Sequence, residues 1–138
     1  MPEQPETTNA AARDRFQPTP DPEQQTYRIV DLFAGIGGFR RGFELTGRYT
    51  CVASAEHDTY AAATYQHLYG DNPLADVTDE TFKTQLEQRP YDVLCAGFPC
   101  QTFSRAGKQE GFRNTTRGTL FFDLADIVDR TRPKAFLF

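Results

Sequence analysis

From Tyr27 onward, short apolar runs alternate with stretches of helical spacing, a pattern that predicts βαβ units and an α/β fold with a largely parallel sheet and flanking helices. Tyr27 to Phe33 reads as a strand. It runs into the glycine-rich turn Ala34-Gly35-Ile36-Gly37-Gly38, after which Phe39 and Phe43 share a helical face and Gly47 closes the helix. Tyr49 to Ala55 is a second strand, and the helix from Thr59 to Tyr69 is expected to turn Ala61, Tyr65 and Leu68 toward the core and to stop near Gly70. Thr78 is the expected cap of a short helix over Glu80 to Glu87 carrying Phe82 and Leu86. Tyr91 to Ala96 is the next strand, with Pro90 at its entrance. A loop from Gly97 to Gly118 precedes a helix with Leu120, Leu124, Ile127 and Val128 on one face, and Lys134 to Phe138 begins one more strand.

Residues 1–26 do not share this pattern: they hold five of the nine prolines and no Gly, Val, Ile or Leu, so they are expected to form a disordered tail ahead of a domain at 27–138. The tail carries five acids against two bases, which leaves the remainder with −1 of the net −4, a balance that argues against a protein coating phosphates nonspecifically. No segment approaches the roughly 18 consecutive apolar residues of a membrane span. The acidic, Pro-rich start is unlike a signal peptide, so no membrane partner and an intracellular, cytoplasmic location are expected. Cys51, Cys95 and Cys100 are odd in number and lack a Cys-x-x-Cys spacing, which argues against a disulfide framework and against a metal site.

Ligands of open α/β sheets bind beyond the carboxyl ends of the strands, and the chemistry-bearing residues fall there. The turn after the first strand offers free backbone N–H groups for a carboxylate or phosphate, although its Gly-x-Gly-Gly spacing suits a packing turn equally well. Glu56 ends the second strand, where a carboxylate can accept from both hydroxyls of a ribose; a surface glutamate is the plain alternative. Together these residues point to a nucleoside-containing cofactor without choosing one. Gly97-Phe98-Pro99-Cys100-Gln101-Thr102-Phe103-Ser104 follows the third strand, and a cysteine exposed at a strand end is a candidate nucleophile. A free thiol titrating near ~8.5 needs a cationic or hydrogen-bonding setting to react at neutral pH, and Arg105 and Lys108 follow closely. Cys51 and Cys95 sit inside apolar strands and read as inert core residues. Arg105, Lys108, Arg113 and Arg117 against Glu110 make the loop basic, with Gly107 and Gly111 as hinges.

These motifs, in this order, resemble the DNA cytosine-5 methyltransferase family from about Tyr27 to Phe138, and the resemblance implies a Rossmann-like methyltransferase fold with S-adenosylmethionine as cofactor. Asp31 to Phe39 resembles the family's first cofactor motif, Pro99-Cys100-Gln101 its nucleophile motif, and Arg117 to Phe122 a block lying against the cofactor. By resemblance, backbone at Ala34, Gly35 and Gly38 holds the methionine portion, Glu56 the ribose and Asp76 the adenine amino group. Phe33 and Val77 flank the adenine, Leu120 closes one side, and His57 stands where the family often has a large aromatic. Cys100 is the implied catalytic nucleophile toward carbon 6 of a cytosine flipped out of DNA, with Pro99, Gln101, Ser104, Arg105, Lys108 and Arg117 as implied DNA contacts. A restriction-modification setting in a prokaryotic cytoplasm goes with that implication.

The sequence stops before the family's Glu-Asn-Val segment, its target-recognition domain and its last helix. The expectation is therefore an N-terminal fragment, inactive alone, or one half of a split enzyme with a complementing C-terminal chain. Three other readings fit parts of the pattern: a transfer-RNA cytosine-5 methyltransferase of the same family, a nicotinamide-dinucleotide oxidoreductase sharing the turn and ribose acid, and a non-catalytic module that binds S-adenosylmethionine or DNA.

Overall fold

Apolar β-branched and leucine residues fill the centre of the sheet, and helices supply the parallel crossovers that such a sheet requires. A computed structural model describes residues 25–98 and 117–138. In chain order the elements are β1 (Tyr27–Leu32), α1 (Gly38–Glu44), β2 (Tyr49–Ala55), α2 (Thr59–Tyr69), α3 (Glu80–Glu87), β3 (Val93–Ala96), α4 (Arg117–Thr131) and β4 (Ala135–Leu137). The expected tail at 1–24 and the segment 99–116 lie outside the described residues.

The four strands pair in the order β2-β1-β3-β4, all parallel. β1 lies between two neighbours, so Ile29, Val30, Asp31 and Leu32 are fully buried. Alternation along the strand sends Val30 and Leu32 to one face, where they join Val77, Leu86, Leu94, Leu124 and Ile127 in the main core, and sends Ile29 and Asp31 to the other. Burying Leu94, Leu124 or Ile127 contributes about 1.5–3 kcal/mol each, which is what fastens α4 to the sheet.

The α2 helix begins at Asp58, whose carboxylate accepts the Ala61 N–H at 2.8 Å, and ends at Gly70 in the left-handed region, as the glycine predicts. Its buried stripe is not the expected one. Ala62 and Tyr65 are buried whereas Leu68 is 56% exposed, because the helix packs along Ala62, Tyr65 and Tyr69, with Tyr65 near Cys51 of β2 and Tyr69 against Gly37 of the turn, one position away from the Ala61–Leu68 stripe. The α3 cap also differs: Asp79, not Thr78, accepts the Thr81 N–H at 2.8 Å. Phe82 and Leu86 pack inward as expected, and Lys83 is buried with them. β3 starts two residues later than expected because Asp92 is spent tying strand entrances together: it accepts the Arg28 N–H at 2.8 Å and pairs with Lys134 at 2.7 Å. β4 forms as expected but lies exposed at the sheet edge, with Phe136 at 57%.

Candidate functional site

The chain steps from β1 to β2 on one side and returns to β3 on the other, so the carboxyl ends of β1 and β3 adjoin where the connections diverge. In open α/β sheets that divergence makes a ligand crevice. Leu32 pairs with Ala96 there, which sets the turn after β1 beside the Gly97–Phe98 segment after β3. A Cβ on Gly97 would come 3.5 Å from the Phe39 ring, so the two segments are in contact range.

The turn itself is conformationally costly. Phe33, Gly35 and Gly37 all have positive φ, at 54°, 55° and 90°. For a bulky residue such as Phe33 this is a real outlier, costing on the order of 1–3 kcal/mol, and the surrounding structure must hold it. Two kinds of support do so. From in front, the Ala34 N–H donates to Ala55 at 3.0 Å and the Gly35 N–H donates to the Glu56 carboxylate at 2.8 Å. From behind, the Tyr69 ring lies against Gly37, and its hydroxyl donates to the Gly37 carbonyl at 2.9 Å. Arg40 stacks on that ring at 4.4 Å while pairing with Glu44 and Asp71.

The glycines divide by what surrounds them. A Cβ on Gly37 would strike the Tyr69 ring, with two atoms at 2.8 Å, so Gly37 is required by the protein's own packing. A Cβ on Gly35 or Gly38 would meet no described atom within 4 Å. Among the described residues those two leave a stretch of backbone bare, and a turn without side chains suits a small charged group such as an amino-acid moiety.

Glu56 is 8% exposed and fixed at the end of β2, where its second carboxylate oxygen accepts the Asp58 N–H at 2.8 Å. A parallel bridge from Glu56 to Leu74 extends the sheet by one contact, through hydrogen bonds with Pro73 and Ala75. That bridge delivers Asp76 and Val77 beside the acid. Asp76 is exposed, and its carboxylate accepts from the Thr78 N–H and hydroxyl at 2.8 and 2.7 Å, which hold it ionised below the usual aspartate range. His57 is exposed, 3.4 Å from Glu56. Phe33 and Leu120 are partly buried against the core cluster to which Val77 belongs. Val77 itself is 5% exposed and presents little surface.

Of the candidates, Phe33, Ala34, Gly35, Gly38, Glu56, His57, Asp76 and Val77 thus follow the ends of β1, β2 or the Glu56–Leu74 bridge, while Leu120 lies within α4 and Arg117 opens it. Pro99, Cys100, Gln101, Ser104, Arg105 and Lys108 lie outside the described residues. The other two cysteines behave as core residues. Burial raises the Cys51 thiol to about 11 and the Cys95 thiol to about 12, so neither supplies a thiolate near neutral pH.

Reading the sequence alone missed two features. Asp31 is fully buried under the turn; the available signal was an acid inside the apolar run Ile29-Val30-Asp31-Leu32. The Arg40–Tyr65–Tyr69 brace carried no local signal, because its members are brought together only by the packing of α1 on α2.

A parallel sheet with a divergence between β1 and β3, a strained glycine turn and an acid closing the second strand make a Rossmann-like arrangement that fits a methyltransferase fold. Residues 27–138 match the family of C-5 cytosine-specific DNA methylases, and the chain belongs to it. It is 48% identical over 128 residues to the type II methyltransferase M.HpaII of Haemophilus parainfluenzae, covering 92% of this chain and 35% of that protein. It is 50% identical to M.HhaI of Haemophilus parahaemolyticus over 78% of this chain and 31% of that protein, and 50% identical to M1.ScrFI of Lactococcus lactis subsp. cremoris over 80% and 28%. The chain therefore spans about a third of the length of the curated relatives it matches.

Proposed function

We propose that the protein carrying this chain transfers a methyl group from S-adenosylmethionine to carbon 5 of cytosine in DNA, with Cys100 as covalent nucleophile. The observation that carries this reading is the turn at Gly35 and Gly38, bare of any described neighbour, set against the strand end that leads to Cys100. Cys100 stands two residues past Phe98, and two residues of chain span at most about 7 Å.

Each residue then has a task. Backbone at Ala34, Gly35 and Gly38 holds the amino-acid end of the cofactor, Glu56 accepts from the ribose hydroxyls, and Asp76 accepts from the adenine amino group. Phe33, Val77, Leu120 and His57 border the adenine. The cofactor contributes an electrophilic methyl group on a sulfonium. The Cys100 thiolate adds to carbon 6 of cytosine and so makes carbon 5 nucleophilic; after methylation a base removes the carbon-5 proton and Cys100 leaves by elimination. Inside a duplex neither ring face is reachable, so the target base is flipped out, at a cost of a few kcal/mol. Pro99, Gln101, Ser104, Arg105, Lys108 and Arg117 are assigned to the DNA side. The relatives are type II methyltransferases, which supports a restriction-modification setting.

The test is methyl transfer from labelled S-adenosylmethionine by the full-length protein to duplex DNA and to transfer RNA, with product identified by mass spectrometry. The expected product is 5-methylcytosine in DNA. Label in RNA alone would move the substrate to transfer RNA, and label in neither would overturn the enzymatic reading.

A further inference from the structure

Lys83 is the one buried cation among the described residues, with its side chain 5% exposed on the face of α3 that meets α4. Its ammonium lies 2.7 Å from Asp123 and 3.0 Å from Asp126 of α4, and 3.4 Å from Glu80 of its own helix. Arg130 closes the arrangement into a ring, donating to Asp126 and to Glu80 at 2.9 Å each. Burial works against the charge on Lys83, but Asp123 and Asp126 outweigh it and raise the ammonium above the ordinary lysine range. Apolar side chains of similar volume often hold two helices together as well as such a cluster, so stability alone does not account for it. The best attested use of buried charges is to fix register.

The helices joined in this way lead to two parts of one site. Asp76 is tied to the start of α3: its carbonyl accepts the Asp79 N–H at 3.1 Å, and the Asp79 carbonyl accepts the Lys83 N–H at 3.0 Å. On α4, Leu120 stands three residues before Asp123, about one helical turn. We propose that Lys83 is a positioning residue for the methyl donor: by clamping α3 to α4 it holds Leu120 in register with Asp76 and Val77, and so sets the gap that receives the adenine. This inference rests on the cofactor reading above and adds to it a source of selectivity for the base.

The geometry of the clamp suits that role better than the packing around it. Phe82 and Leu86 of α3 belong with Leu124, Ile127 and Val128 of α4 to one apolar cluster, and apolar attraction is non-directional, so it tolerates sliding of one helix along the other. Two carboxylates three residues apart are about 4.5 Å apart along the helix axis, and Lys83 bonds both. A slide of α4 by one residue, about 1.5 Å, pulls one of them away from the enclosed ammonium. The Arg130 bonds to Asp126 and Glu80 resist the same slide from the exposed side.

The experiment is steady-state methylation by the full-length protein, with equilibrium binding of S-adenosylhomocysteine and of its counterpart carrying hypoxanthine in place of adenine. Wild type should prefer adenine by about tenfold or more, because hypoxanthine lacks the amino group offered to Asp76. The variant Lys83→Met/Asp123→Leu/Asp126→Leu exchanges the clamp for apolar contact without leaving a buried charge, and should unfold near the wild-type urea midpoint. Its KM for S-adenosylmethionine should rise about tenfold and its adenine preference fall to about twofold, while kcat at saturating cofactor stays within about twofold of wild type. Asp126→Asn, a change of similar size at the more exposed end of the clamp, should move KM and preference the same way by about threefold, and carries the test if the triple variant folds poorly. A merely structural cluster predicts instead that the stable triple variant keeps both values. Wild-type KM and adenine preference in a folded variant, or a fall in kcat with KM unchanged, overturn the inference and leave the cofactor reading intact. A wild-type protein that binds neither S-adenosylmethionine nor S-adenosylhomocysteine overturns both.

Discussion

Gly37→Ala separates packing from ligand space within one turn. At φ 90° an alanine carries left-handed strain of roughly 1–2 kcal/mol. Its Cβ would also lie 2.8 Å from two atoms of Tyr69, and no rotation of so short a side chain relieves this, so the ring must move. Moving it loses the 2.9 Å hydrogen bond to the Gly37 carbonyl, worth about 1 kcal/mol, and the Arg40 stacking at 4.4 Å, worth about 0.5–1 kcal/mol. The expected destabilisation is about 3 kcal/mol, a large part of the 5–15 kcal/mol typical of a domain. Gly35→Ala meets the same kind of strain at φ 55° and no described neighbour within 4 Å, so it should cost about 1 kcal/mol while weakening S-adenosylmethionine binding tenfold or more, because its Cβ enters the bare turn. Urea denaturation with unchanged m-values measures the first pair of numbers, and equilibrium binding the second. In a Tyr69→Leu background, Gly37→Ala should retain only its strain cost. Equal destabilisation by Gly35→Ala and Gly37→Ala, or no relief in the Tyr69→Leu background, would refute the packing argument.

Two further predictions concern stability. Asp31, raised from 3.8 to about 7, keeps a proton in the folded state that the unfolded chain has already released, so its contribution to stability is complete below pH 4 and is lost as pH rises to 7, at up to about 1.4 kcal/mol per pH unit. Asp31→Asn should flatten that slope in denaturation curves taken between pH 4 and 7; an unchanged slope would remove Asp31 as its source. Lys83→Met should cost about 2–3 kcal/mol by urea denaturation, since the buried ammonium pairs with Asp123 at 2.7 Å, Asp126 at 3.0 Å and Glu80 at 3.4 Å across α3 and α4; a cost below about 0.5 kcal/mol would show the cluster to be a solvated surface network.

What could be read in advance follows from where the physics is local. The strand–turn–helix unit at Tyr27–Glu44 was legible because an apolar run ending in glycines leaves the backbone few choices, and the ends of α1 and α2 were legible in Gly47 and Gly70. The buried face of α2 was not, since Leu68 and Tyr69 are both large and only the approach of Gly37 and Arg40 decides which packs. Thr78 and Asp79 are both able caps; Thr78 is taken instead by the Asp76 carboxylate. Lys83 carries no sequence signal of its burial, which arises only where α4 brings Asp123 and Asp126 over it. At the site, the order of motifs was visible in the sequence, whereas the strain at Phe33 and the idle oxygen of Asp31 are tertiary facts.

The most direct measurement is covalent trapping. The full-length protein is incubated with S-adenosylmethionine and a duplex carrying 5-fluorocytosine at target positions, where fluorine at carbon 5 blocks the final elimination. Wild type should give a denaturant-stable protein–DNA adduct whose peptide map places the bond at Cys100, and Cys100→Ser should give none. An adduct that persists in Cys100→Ser, or methylation of ordinary DNA by that variant, would contradict the assignment of Cys100 as nucleophile.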